Sequence, residues 1–239
     1  MMSVGKSRIR NHMTLEYDFT GMRLQDGCLT PVDWKLKVNL IAPRTASKMS
    51  RDEIELSSGI TYNRMYFWLD TNMTNVVMVD VTNEDDLYLA NLSTNITLFS
   101  PGDTNDDHII QLLHAKMAAL AGNTMIVGEM TLKGSDTSVM YTFDCPDGKY
   151  DLPATVEEYV GREARDKEPW WNRDDGFCFE FIKPLPEGEE TIPDDIYDDI
   201  VDPMTEFERM IKEATDSFIG IIKEPARIVQ VEKWKPKTV

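Results

Sequence analysis

The sequence predicts an α+β fold, a mainly antiparallel sheet of about seven to nine strands with two long amphipathic helices. Three observations predict it. Apolar and polar residues alternate with period two through much of the first hundred residues. The period changes to that of a helix at residues 105–121 and again at 203–218. The charge is divided as well: residues 1–66 carry ten Lys/Arg against seven Asp/Glu, and residues 67–239 carry fifteen against thirty-five. The excess is densest in residues 144–216, where twenty-three acids face eight bases. Such segregation points to an oriented field, and so to a partner or an internal shield.

Residues 1–12 read as a basic arm, 13–183 as an α+β core domain, and 184–239 as an acidic segment, a C-terminal helix and a basic tail packed on the core. Met13, Leu15, Tyr17 and Phe19 alternate with Thr14, Glu16, Asp18 and Thr20, the period of a half-buried strand. Trp34, Leu36, Val38 and Leu40 repeat it, with Lys35, Lys37 and Asn39 on the other face. Pro43 ends that strand, and residues 43–58 read as a polar loop. Residues 60–69 and 76–81 follow as strands, joined by an Asn/Thr-rich turn. Residues 87–92 and 96–99 read as a hairpin.

Residues 105–121 place Ile109, Leu112, Leu113, Met117 and Leu120 on one helical face. Thr104 and Asp107 are the expected N-terminal capping pair, and Gly122-Asn123 the stop. Strands resume at 124–132 and 138–143, with a turn at Gly134-Ser135-Asp136. A short helix is expected over 155–166, opened by Thr155 and Glu158, and a strand over 177–182 after Asp175-Gly176. Residues 184–202 are rich in proline and acid. A second amphipathic helix starts at Pro203, favoured at a first helical position, with Phe207, Met210, Ile211, Ala214 and Phe218 inward. A last strand is expected over 227–234. This order of strands, helix, strands, helix resembles the layout of the Whirly-type single-stranded nucleic-acid-binding fold, in element order alone.

The longest apolar runs are far too short for a membrane span, and the first twelve residues lack the apolar stretch of a secretory signal. Cys28, Cys145 and Cys178 are odd in number with no close pair, which fits free thiols in a reducing cytoplasm. The expected location is therefore cytoplasmic, the host cytoplasm for a viral protein, with no membrane partner.

Counting by twos along 60–69 puts Ile60, Tyr62, Arg64, Tyr66 and Trp68 on one strand face. Aromatic rings with a guanidinium form a stacking platform for unpaired bases. The same pattern fits a strand buried on both faces. Lys35 and Lys37, with Arg44, Lys48 and Arg51 in the next loop, make a basic patch of the kind phosphate binding needs, or an ordinary solvated face. Trp170 and Trp171 stand together in a charged stretch and fit a partner-binding anchor, or a plug at the core edge.

Asp103, Asn105 and Asp107 mimic the start of an EF-hand loop. His108 at the glycine position and His114 at the glutamate position defeat that reading. The two histidines are six apart and fall on different faces of a helix. The acids Asp194, Asp195, Asp198, Asp199 and Asp202 form a cation-binding cluster or a solvated segment. Phosphate-loop, dinucleotide and nucleophile-elbow motifs are absent from the sequence. No catalytic, cofactor or metal residue is assigned, and no cofactor is expected.

The function that best fits is a non-enzymatic single-stranded nucleic-acid-binding accessory protein, for RNA or single-stranded DNA, with the acidic C-terminal region modulating binding. Viruses use accessory proteins of this sort. The alternative is an acidic protein–protein assembly or adaptor protein with no nucleic-acid contact, and an enzyme of unfamiliar type ranks third. Net charge of −17 weighs against a phosphate partner unless a basic face is separated in space.

Overall fold

The computed structural model describes residues 12–42, 50–91, 96–143, 150–161, 167–178, 202 and 204–213. It opens with two fourteen-residue strands, β1 (His12–Gln25) and β2 (Cys28–Ile41), paired antiparallel along their whole length. Asp26 and Gly27 form the two-residue turn, both at positive φ (51° and 73°). That geometry matches the twist of the flanking strands, and Asp-Gly is among the strongest hairpin signals a sequence carries.

The largest departure from expectation follows. Residues 60–69 are not a strand, and 51–58 are not loop. Both belong to α1 (Arg51–Asn72). Ser50 caps it by accepting from the Glu53 amide, while the Glu53 carboxylate accepts from the Ser50 amide at 2.7 Å. This reciprocal Ser-x-x-Glu box is a legible helix start. The buried positions Ser58, Thr61, Met65, Trp68, Leu69 and Asn72 recur at three- and four-residue intervals. Three of them are polar, so the helical stripe is masked, while the aromatics between them mimic a period of two.

β3 (Val76–Asp80) is followed by α2 (Glu84–Asn91), where residues 87–92 were expected to be a strand. The Asn83 side chain accepts from the Asp86 amide at 3.2 Å and starts that helix. β4 (Thr97–Ser100), α3 (Asp106–Ala121), β5 (Ile126–Lys133), β6 (Ser138–Tyr141) and α4 (Val156–Val160) complete the named elements. Residues 204–213 are helical too, here called α5.

The six described strands form one mixed sheet in the order β4-β3-β1-β2-β5-β6. The fold is α+β, with six strands among the described residues against the expected seven to nine, and two parallel pairings, β1 with β3 and β3 with β4. The reason lies in the two misread segments. Once α2 is a helix, β3-α2-β4 becomes a crossover that returns the chain parallel where a hairpin would reverse it, while α1 carries the chain from β2 past β1, so that β3 pairs parallel to β1 and runs antiparallel to β2. The layout of strands, helix, strands, helix is therefore not the observed one, and the likeness to the Whirly-type layout lapses with it.

One sheet face carries Leu15, Tyr17, Phe19, Trp34, Leu36, Val38 and Leu40, all buried, against α1, α3 and residues 150–160 and 170–178. A smaller cluster on the other face joins Leu24, Val77 and Val79 to Ala90 of α2. The expected apolar face of α3 is the buried one, with Ile109, Leu112, Leu113, Met117 and Leu120 each at most 1% exposed. Its cap is Asn105, which accepts from the His108 amide at 2.9 Å, in place of Thr104 and Asp107. Gly122 ends it as expected. Leu113→Ala is expected to cost about 2–5 kcal/mol in a urea titration with unchanged slope. A loss under about half a kcal/mol would mean that the cavity collapses or that the face is wrong.

α4 is shorter than the expected 155–166. Thr155 caps it as predicted, but Gly161 at φ 74° terminates it. Residues 177–178 carry no strand, and 179–182 lie outside the described residues. In α5, Phe207 stacks on Phe67 at 4.5 Å between centroids, whereas Met210 is 59% exposed, not inward. Ala214, Phe218, the expected strand at 227–234 and the acids Asp194, Asp195, Asp198 and Asp199 lie outside the described residues.

The 167–178 segment closes the sheet at its β4 edge. The outward carbonyls of Phe99 and Thr97 accept from Trp170 Nε1 (2.9 Å) and Cys178 Sγ (3.7 Å). Side-chain donors thus cap an edge that would otherwise template pairing with another strand. Cys28 is a free exposed thiol and the Cys178 thiol is buried against the Thr97 carbonyl, while Cys145 lies outside the described residues.

Candidate functional site

The residues expected to form a stacking platform are dispersed by the helix. On α1, Tyr62 and Tyr66 are one turn apart, and Trp68 points elsewhere. Trp68 is fully buried, stacked on Trp170 at 5.9 Å. Tyr66 is 44% exposed and meets Tyr17 edge-on. Arg64 is occupied: Nε pairs with Glu208 at 3.0 Å, and the terminal nitrogens donate to the carbonyls of Leu120 and Asp174.

Lys35 and Lys37 do share an exposed face, on β2. Each stands opposite an acid on β1, Lys35 with Asp18 (3.5 Å) and Lys37 with Glu16 (3.1 Å). Lys133 of β5 is the cross-strand neighbour of Lys35. Exposed pairs of this kind are worth ~0–1 kcal/mol and leave little net positive field. Arg44 and Lys48 lie outside the described residues, and Arg51 opens α1.

Trp170 and Trp171 are both fully buried. They pack edge-to-face at 5.6 Å, and Trp171 also meets Tyr159. As folded, neither offers a surface to a partner, which agrees with the reading as a core plug.

Three polar groups that sequence reasoning did not place in the core are buried there. Lys116 has no exposed side-chain surface. Its ammonium donates to the carbonyls of Trp170 (3.0 Å), Arg173 (2.8 Å) and Asp175 (2.9 Å), with the Asp175 carboxylate at 3.6 Å and the Trp68 ring at 5.5 Å. Burial lowers its pKa to about 8, against the opposing pull of Asp175. The group is still charged at neutral pH and ties the 167–178 segment to α3.

Asp106, in the first turn of α3, accepts from Arg23 (2.5 Å), Trp34 Nε1 (2.9 Å) and the Thr137 hydroxyl. The acid suits the positive end of the helix dipole. It locks α3 to β1, β2 and the β5–β6 turn.

His114 Nε2 lies 3.0 Å from the Gly128 carbonyl, and Nδ1 lies 2.7 Å from the Tyr150 hydroxyl. A carbonyl can only accept, so Nε2 carries the proton and Nδ1 accepts from Tyr150. Burial pushes the His114 pKa down, partly offset by the Gly128 carbonyl, and pushes the Tyr150 pKa up. A histidine held neutral in the fold takes up protons more readily when unfolded. Its contribution is therefore whole above about pH 6.5 and lost as pH falls toward the depressed folded value. Urea midpoints are expected to drop between pH 7.5 and 5.5, with a shallower drop in His114→Gln. Equal slopes would contradict the neutral assignment.

His108 is pulled down by burial and up by Asp103 and Asp80. Among the described residues, no group of three or more His, Cys, Asp or Glu is placed to hold a metal. Asp202 accepts instead from the amides of Gly176 and Met204. No helix among the described residues is long and apolar enough to cross a membrane. No protein-family model matches the chain, and no curated protein matches it.

Proposed function

We propose that the chain is a non-enzymatic binding protein that works through protein–protein contacts, an acidic assembly or adaptor protein. The observation that carries this reading is the fate of the aromatic residues. Trp68, Trp170 and Trp171 are committed to the core and Arg64 to internal pairs, so among the described residues no ring-and-guanidinium platform faces solvent. A net charge of −17 repels phosphate and steers cationic partners.

A second reading keeps single-stranded nucleic acid as the ligand, on the sheet face of β1, β2 and β5. Lys35, Lys37 and Lys133 favour it, since they form one exposed group. Fluorescence anisotropy with labelled single-stranded RNA and DNA at low salt separates the two. The adaptor reading expects no saturable binding. Salt-sensitive binding that weakens in Lys35→Ala/Lys37→Ala would replace it with the second reading.

A further inference from the structure

We propose that the outer face of α2 is the docking surface for a basic, amphipathic protein segment, a deepening that rests on the adaptor reading above. Residues 65–115 contain no lysine or arginine and eight acids. Within this stretch β3, α2 and β4 lie together at one edge of the sheet, whereas α3 packs against β5 and β6. Asp86 and Asp106 are buried, while Asp70, Asp80, Glu84, Asp85, Asp103 and Asp107 keep exposed surface.

The inner face of α2 is fully used. Asp86 accepts from the amides of Asp26 (2.9 Å) and Gly27 (2.6 Å), clamping the helix to the β1–β2 turn. Ala90, one turn on, packs on Leu24, Val77 and Val79. The outer face is left with apolar groups in water: Tyr88 is 66% exposed and Leu89 41%. Each stands one helical turn after an exposed acid, Tyr88 after Glu84 and Leu89 after Asp85. Leu29, 53% exposed, sits across from Leu24 on the same side of the hairpin.

A rigidly anchored helix that presents a tyrosine and a leucine beside carboxylates has the parts of an interface centre with a charged rim. Charge selects the occupant. A nucleic acid, an acidic peptide or a second copy of this chain at −17 would all be repelled. A segment with apolar side chains flanked by Lys/Arg satisfies both the apolar centre and the rim.

The test uses the full chain and a labelled helical peptide of about 18 residues built from Leu and Lys, with Leu along one face. A Leu/Glu peptide and a Ser/Lys peptide of the same pattern serve as controls. The Leu/Lys peptide is expected to bind, more weakly as salt rises, with both controls weaker by about tenfold or more. Tyr88→Ser/Leu89→Ser is expected to lower affinity about tenfold with an unchanged circular-dichroism spectrum, whereas Leu56→Ser on α1 leaves it unaltered. Equal binding by wild type and the Tyr88/Leu89 variant would overturn the site but leave the adaptor reading standing. Absence of Leu/Lys binding, or equal binding of the Leu/Glu peptide, would overturn the basic partner. Failure of the adaptor reading shows separately, as nucleic-acid binding in the anisotropy experiment.

Discussion

Replacing Lys116 by Met is expected to destabilise the protein by about 3–5 kcal/mol, more than any surface change, while leaving the sheet intact. The depressed pKa shows that burial outweighs the attractions of the ammonium, so the cost is not the loss of a favourable ion pair. It comes from the acceptors left behind. The carbonyls of Trp170, Arg173 and Asp175 converge on one nitrogen. Each buried carbonyl left without a donor costs ~1–3 kcal/mol, partly offset because a thioether needs no desolvation. The 167–178 segment should loosen first, since its tie to α3 through Lys116 is gone while Asn72 to Gly176 and Arg64 to Asp174 still hold it to α1. Hydrogen exchange would show this as faster exchange in 167–178 than in β1 and β2. A stability change below about 1 kcal/mol would mean that water replaces the ammonium and that the segment needs no cation.

Asp106→Ala is expected to cost a similar amount, about 3–5 kcal/mol, because it strands a partly buried guanidinium and the buried indole N–H of Trp34 together. The conservative change separates charge from shape. Asp106→Asn keeps an oxygen for Arg23 and Trp34, and its amide can donate to the Thr137 hydroxyl, so a loss of only about 1–2 kcal/mol is expected. Denaturant titrations of both variants check the pair. Equal losses would show that the negative charge itself, balancing Arg23, is what the fold requires.

How much of this was legible depends on the element. β1, β2, β5 and α3 advertise themselves through one period and one main buried face, and β3 as a short apolar run buried on both faces. The α1 segment does not. Its buried stripe runs through Ser58, Thr61 and Asn72, polar groups that the fold satisfies or tolerates internally, while Tyr62, Tyr66 and Phe67 fall between them. Asn72, for example, donates to the carbonyls of Trp68 and Gly176. Alternation counted on side-chain polarity therefore reports a strand. The signal that would have corrected it, Ser50 with Glu53, lies twelve and nine residues upstream of the first aromatic, Tyr62. Asp26-Gly27 was equally available and would have joined β1 to β2 directly.

The binding residues were less legible than the fold. Adjacent tryptophans and an aromatic-basic run look alike whether they serve a ligand or a core, and only three-dimensional neighbours distinguish the two. Trp170 and Trp171 are held inside by Trp68, Tyr159 and the Lys116 carbonyl cluster, partners between 12 and 102 positions away in the chain. Lys116 and Asp106 were invisible for the converse reason. Each sits on α3 at a place where a charge reads as solvent-facing, and each is buried by a segment distant in sequence.

The central claim is that residues 51–72 form one helix that spends Trp68 on the core instead of displaying it. The Cα chemical shifts of that segment test it most directly. An unbroken run of downfield Cα shifts from residue 52 to 71, with contacts between residues three and four apart, is the predicted result. Upfield shifts over 60–69 with cross-strand contacts would contradict it, and would restore the exposed aromatic strand that the sequence suggests as a stacking platform.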